Sequence, residues 1–178
     1  MSKKVLILSG SPRKKGNSAA LCAAFARGAE EGGNSVKTIF LRDKRISFCL
    51  ACYHCKKDGV CIIKDDMADI LAEMNSADVI VMASPVYFYS VNAQMKALID
   101  RTVAQWRVIR DKEFYYIMTA AEDTDTVMNC TLECFRGLAK CLDGSVERGV
   151  IYGKGVYAEG EIEGKPVLAE ALEMGRHV

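Results

Sequence analysis

Short, unbroken apolar runs alternate along the chain with longer stretches in which apolar residues return every three or four positions. Residues 5–8 (Val-Leu-Ile-Leu) and 78–83 (Asp-Val-Ile-Val-Met-Ala) read as strands buried on both faces. Residues 35–41, 113–119 and 146–152 read as three more strands. Between them lie helical patterns. The first opens at Asn17 or Ser18, which can cap it, and runs to about Gly28, with Gly32-Gly33-Asn34 as its stop. A second begins at Asp65 or Asp66 and reaches about Asn75, with Asp65, Asp66 and Asp69 capping and decorating its start. Others cover 92–101, 126–142 and 166–174, the last with proline in a tolerated first-turn position. Ser84-Pro85 is expected to break the third strand. The order βαβαβαβαβα predicts a parallel sheet with helices on both faces, formed by the whole chain, 1–178, as one domain. Ligands of such sheets bind beyond the carboxyl ends of the strands, where strand order reverses.

Composition narrows the partners. The chain has 178 residues, is half apolar and carries a formal net charge of +1. It has no basic block or polybasic tail, which argues against nucleic acid or an anionic membrane. The N-terminal apolar run has four residues, too few for a signal-peptide core or a bilayer span, so a cytoplasmic location is expected. Residues 153–164 are glycine-rich and acidic and read as a surface loop.

The loop after the first strand is Ser9-Gly10-Ser11-Pro12-Arg13-Lys14-Lys15-Gly16-Asn17-Ser18. It leaves a buried strand and enters a helix, whose free N–H groups and dipole suit a phosphate. Ser9, Ser11, Asn17 and Ser18 add side-chain donors, Arg13 adds a planar cation, and Gly10 and Gly16 allow tight turns. The loop lacks Gly-x-Gly-x-x-Gly, so it is not a dinucleotide loop. Five residues separate Gly10 from Gly16, and Asn17 stands where a Walker loop needs lysine, so ATP is not its ligand.

This loop resembles the FMN phosphate loop of the NADPH-dependent FMN reductase and iron–sulfur flavoprotein families. A second stretch supports the resemblance: residues 84–101, Ser-Pro-Val-Tyr-Phe-Tyr-Ser-Val-Asn-Ala-Gln-Met-Lys-Ala-Leu-Ile-Asp-Arg. It implies a flavodoxin-like three-layer α/β sandwich with a five-stranded parallel sheet in the order 2-1-3-4-5. It also implies FMN, with its phosphate on Ser9, Ser11, Pro12, Arg13, Gly16, Asn17 and Ser18 and its ring against Pro85, Val86, Tyr87 and Phe88. A third contact would come from Thr119 and Ala120, in a loop that departs from the glycine-rich form of relatives. The resemblance further implies a homo-oligomer, dimer or tetramer. Physically, a planar ring wants aromatic walls and a few backbone donors, and 86–89 can supply both. Tyr89 reads equally well as a core or subunit contact.

Eight cysteines are many for a reducing compartment, and four of them fall within thirteen residues. Cys49-x-x-Cys52-x-x-Cys55-x₅-Cys61 suits the thiolate ligands of a [4Fe–4S] cluster. The same compact spacing followed by Asp-Asp-Met occurs in iron–sulfur flavoproteins, as Asp65-Asp66-Met67 does here. Three other readings stand beside it: a zinc site, a reactive thiol pair, and cysteines that hold no metal. Cys130, Cys134 and Cys141 recur at helical spacing and are expected in the core. Cys130 and Arg136, with five residues between them, match a phosphatase spacing by chance, since they sit inside a helical pattern with no glycine between. His54 and His177 have no visible catalytic partner.

Two function classes follow. One is an FMN-dependent oxidoreductase, in which the flavin carries the chemistry and no side chain need act as acid or base. It takes electrons either from a ferredoxin-type donor through the cluster or from NAD(P)H as co-substrate, and passes them to a small-molecule acceptor. The other is a non-catalytic redox-sensing or flavin-binding module.

Overall fold

In the computed structural model, residues 2–178 are described. Six strands and five α-helices follow the expected alternation: β1 (Lys4–Ser9), α1 (Asn17–Glu31), β2 (Ser35–Phe40), α2 (Met67–Ser76), β3 (Val79–Tyr87), β4 (Ser90–Val91), α3 (Ala93–Arg101), β5 (Glu113–Thr119), α4 (Asn129–Cys141), β6 (Val146–Gly153) and α5 (Pro166–Arg176). The parallel sheet runs β2-β1-β3-β5-β6. Counting parallel strands alone, this is the expected 2-1-3-4-5 order. The sixth strand, β4, is a two-residue piece that pairs antiparallel with the end of β3.

Strand alternation sorts the core into two layers. Leu6, Leu8, Ile80, Met82, Phe114, Tyr116 and Met118 point to one face, where they meet Met67 and Ile70 of α2, Met95 and Leu98 of α3, and Phe135 of α4. Val5, Ile7, Val79, Val81, Tyr115 and Ile117 point to the other, against Leu21 and Phe25 of α1 and Ala171 of α5. Helices α1 and α5 approach so closely that a Cβ on Gly28 would collide with the backbone of Leu172, and one on Gly175 with that of Phe25.

Three expectations need correction. Ser84-Pro85 does not end the third strand, which continues to Tyr87. Proline lacks a donor, but Ser84 and Pro85 still run in register with Met118 and Thr119 of β5. Cys130 and Cys141 are exposed and Cys134 is half-buried. The buried face of α4 is Thr131, Leu132, Phe135, Leu138 and Ala139. At about 100° per residue, the cysteine stripe lies roughly a third of a turn away from it. Finally, the 153–164 segment is not only surface: Val156 and Ile162 are buried, and the segment lies across the loop that follows β1.

Sheet order reverses beside β1, since the chain passes from β1 to β2 on one side and returns to β3 on the other. The loops after β1 and β3 therefore diverge and leave a crevice between them.

Candidate functional site

The crevice is a cavity of about 160 Å³ lined by three segments. Ser11, Pro12, Arg13, Gly16, Asn17 and Ser18 come from the loop after β1. Pro85, Val86 and Tyr87 come from the end of β3, and Thr119, Ala120 and Ala121 from the end of β5. Val156 and Tyr157, which sequence reasoning did not single out, close it. Two expected site residues lie elsewhere. Ser9 is fully buried at the end of β1, beside Cys22, whose thiol burial pushes up to about 12. Phe88 is fully exposed at a hairpin tip.

The geometry of the first loop follows from its sequence. Asn17 was expected to cap α1, but it is the first helical residue, and the cap position falls to Gly16, with no side-chain bond. The N–H groups at this helix end thus lack a side-chain cap and face the cavity end of the sheet. Ser11 folds the loop on itself: its Oγ donates to Arg13 O at 3.0 Å and accepts from Arg13 N at 3.3 Å. A Cβ on Gly16 would sit 2.5 Å from that Oγ. Asn92 fixes the loop from the other side. Its Nδ2 donates to Gly10 O, and its Oδ1 accepts from Met95 N at 3.3 Å, so one buried side chain caps α3 and holds the loop.

The 153–164 segment engages two of the expected phosphate donors. Arg13 Nη1 donates to Tyr157 O at 2.6 Å, and its guanidinium lies 6.0 Å from the Tyr157 ring centre. Asn17 Nδ2 donates to Ala158 O at 2.9 Å, while its Oδ1 accepts from Ile162 N at 3.2 Å. Asn17 is therefore a strut between loop and strap.

Beyond Tyr87 the chain turns through Phe88 and Tyr89, with φ of +48° and +63°. Tyr87 pairs with Ser90 across the turn. Two positive φ values in succession are the geometry of a tight hairpin, which ordinarily selects asparagine and glycine. Here two aromatic residues adopt it, and both project from the surface. Such strain persists only where the surrounding structure holds it, and it clusters at ligand clamps.

The cysteine loop encloses a second, larger cavity of about 770 Å³. Cys49, Cys52, Cys55 and Cys61 all line it, as do Arg101 and Trp106. All four thiols are free of disulfides. Among the described residues, no three Cys, His, Asp or Glu side chains converge into a metal-binding group. The backbone at Ala51 and Tyr53 is left-handed, which turns the loop back on itself between the first three cysteines.

The base of this loop is tied by a buried ion pair. Arg101 Nη1 and Nη2 donate to Asp65 at 2.8 and 3.0 Å, and both side chains are only 2% exposed. Arg101 Nη1 also donates to Ser47 O at 2.8 Å, and Asp65 accepts from Ser47 N at 2.9 Å. The pair thus joins the two flanks of the cysteine loop to the end of α3. Asp65 was expected to cap α2. It does accept from Met67 N at 3.2 Å, but its chief partner is a cation 36 residues away. Burial alone would raise the Asp65 pKa; the hydrogen bonds from Arg101, Ser47 and Met67, with the charge of Arg101, overcome it and hold the group at about 2. A folded pKa below the unfolded value stabilises the fold above that unfolded value, and the gain fades as pH falls. Asp65 is therefore expected to contribute about 2 kcal/mol at neutral pH, lost between about pH 4 and pH 2. Urea unfolding of wild type and Asp65→Asn checks this: the stability gap should narrow over that window and stay constant above it.

A family model of NADPH-dependent FMN reductases matches residues 3–130. An iron–sulfur flavoprotein of Methanocaldococcus jannaschii is 43% identical over 99 residues, 56% of this chain and 51% of that protein. One from Methanosarcina thermophila is 39% identical over 111 residues, 62% of this chain and 56% of that protein. The chain spans about half the length of the curated relatives it matches. Among solved structures, an NAD(P)H:quinone oxidoreductase from Methanothermobacter marburgensis superposes with a TM-score of 0.75 at 17% identity, covering 99% of this chain and 96% of that one. An FMN-dependent NADH-azoreductase from Bacillus anthracis, in complex with FMN, gives 0.69 at 15% identity, covering 98% and 96%. At such identities the structural matches establish the flavodoxin-like fold alone. No helix among the described residues is long and apolar enough to cross a membrane. With more than half of its length matched by one family model, and with the fold of that family, this chain belongs to the NADPH-dependent FMN reductase family.

Proposed function

We propose that this chain is an FMN-dependent oxidoreductase of the iron–sulfur flavoprotein type, with residues 1–178 acting as one FMN-binding domain. The observation that carries the reading is the convergence of three loops on one cavity at the uncapped N-terminus of α1. Backbone N–H groups of the Gly16–Ser18 turn and the Arg13 guanidinium suit a phosphate dianion. A Cβ at Gly16 would fill the loop, so the sequence keeps that space open. At about 160 Å³ the cavity is smaller than the roughly 300–1,000 Å³ pockets that engulf whole ligands, so it suits the phosphate end. The ring would extend along Pro85, Val86 and Tyr87 toward the exposed aromatic hairpin, leaving one side open to a reaction partner. Thr119 and Ala120 would border it. Bound FMN supplies the hydride and electron transfer, while the chain binds, orients and shields it.

Four free thiols lining one cavity with a buried arginine suit a [4Fe–4S] cluster, and the relatives described above are named iron–sulfur flavoproteins. The donor would then be a ferredoxin-type protein and the acceptor a small molecule. The exposed hairpin fits a homo-oligomer, and the thiol content fits the cytoplasm. The absence of a converged ligand group among the described residues favours a second reading, a cluster-free reductase that uses NAD(P)H directly. Anaerobic purification separates the two. Brown protein with about four irons per chain supports the first. Yellow, iron-free protein bleached by NAD(P)H supports the second, and a colourless protein that takes up no FMN overturns both.

A further inference from the structure

Arg101 is the largest of the fully buried side chains among the described residues, and a guanidinium has five donors to satisfy. Its two terminal nitrogens are engaged by Asp65 and Ser47. Its Nε is buried and has no hydrogen-bond partner among the described residues. Such an unpaired buried donor carries a desolvation penalty, and the cost is greatest for a charged group. Arg101 and Cys61 line the same cavity. Three of its five N–H groups are thus used by Asp65 and Ser47, and Nε is left without a partner at a residue that lines the cysteine cavity.

We propose that Arg101 positions Cys61 and sets the electron affinity of the centre held by the cysteine loop, through its free Nε–H and its charge. The proposal rests on the iron–sulfur reading above. A hydrogen bond to a ligand sulfur and a nearby cation both favour the more negative, reduced cluster. Asp65 counteracts the cation, so the pair acts as a setting of fixed sign on the cluster potential. Arg101 touches no substrate; it acts through Cys61 and is a positioning residue.

The test uses holoprotein loaded anaerobically with iron and sulfide, reduced stepwise by dithionite, which supplies one electron per cluster, and followed by electron paramagnetic resonance. Arg101→Lys keeps a cation against Asp65 but removes the Nε–H. It is expected to retain iron and FMN while shifting the one-electron equilibrium about tenfold toward the oxidised form, or 59 mV. Asp65→Asn leaves the guanidinium charge uncompensated and is expected to shift the equilibrium the other way. Opposite signs are what a merely structural clamp does not produce, because a loosened loop loses iron in both variants. Unchanged potentials, shifts of one sign, or iron loss in both variants with FMN retained overturn the proposal. If Arg101→Lys fails to fold, the Asp65→Asn sign alone decides: a shift toward the reduced form supports the proposal, and any other result overturns it. Wild-type protein that takes up no iron overturns the iron–sulfur reading itself, and this inference with it.

Discussion

Gly16→Val is expected to weaken FMN binding about a thousandfold, near 4 kcal/mol, while leaving the fold intact. The effect is one of space. Gly16 has φ of −69° and ψ of 156°, an ordinary extended conformation that valine adopts readily, so no backbone strain enters. Its Cβ, however, would lie 2.5 Å from Ser11 Oγ and 3.2 Å from Arg13 Cβ. Ser11 cannot yield without losing both of its bonds to Arg13, and those bonds give the loop its curvature. Opening the loop separates the N–H groups that would otherwise converge on a phosphate. The core layers lie below and are untouched, so circular dichroism and thermal melting of the metal- and flavin-free protein should match wild type. Flavin fluorescence titration measures the loss. Wild-type affinity in this variant would mean that the phosphate sits elsewhere.

Cys52→Ala is expected to remove bound iron altogether and to change FMN affinity by less than about threefold, a difference under about 1 kcal/mol. Cys52 lines the larger cavity and is not among the residues that line the smaller one. A cluster held by four thiolates is expected to be lost when one of them is removed. Parallel iron, sulfide and flavin analyses on anaerobically prepared protein check both halves. Iron retained at wild-type stoichiometry would contradict the ligand assignment.

Much of the fold was legible because its signals are local. Residues 5–8 and 78–83 are continuous apolar runs because both faces of their strands are covered, and a turn-rich loop followed by a helix pattern marks the cavity end of β1. The three loops of the smaller cavity were identified for the same reason: each is a short motif next to a strand end. What escaped depends on residues far apart in the chain. Nothing around Asn17 foretells its bonds to Ala158 and Ile162, and nothing around Asp65 foretells Arg101. Asn92 looks like an ordinary helix cap, and its hold on Gly10 appears only when β1 and β3 stand side by side. The α4 cysteines show the opposite failure. Their spacing is helical, but a period identifies a stripe without saying which stripe meets the sheet, and the larger side chains of Leu132, Phe135 and Leu138 took that place. The hairpin at Phe88 and Tyr89 defies turn preferences outright, and such departures concentrate where ligands or partners are bound.

The loop after β1 carries the proposed phosphate site, and comparing FMN with riboflavin tests that site most directly. The two ligands share the ring and ribityl chain and differ only in the phosphate. Fluorescence titration of the wild-type protein should find FMN bound at least about a hundredfold more tightly, or roughly 2.7 kcal/mol, because the helix end and Arg13 act on the phosphate alone. Equal affinity for the two would contradict the assignment of the loop after β1.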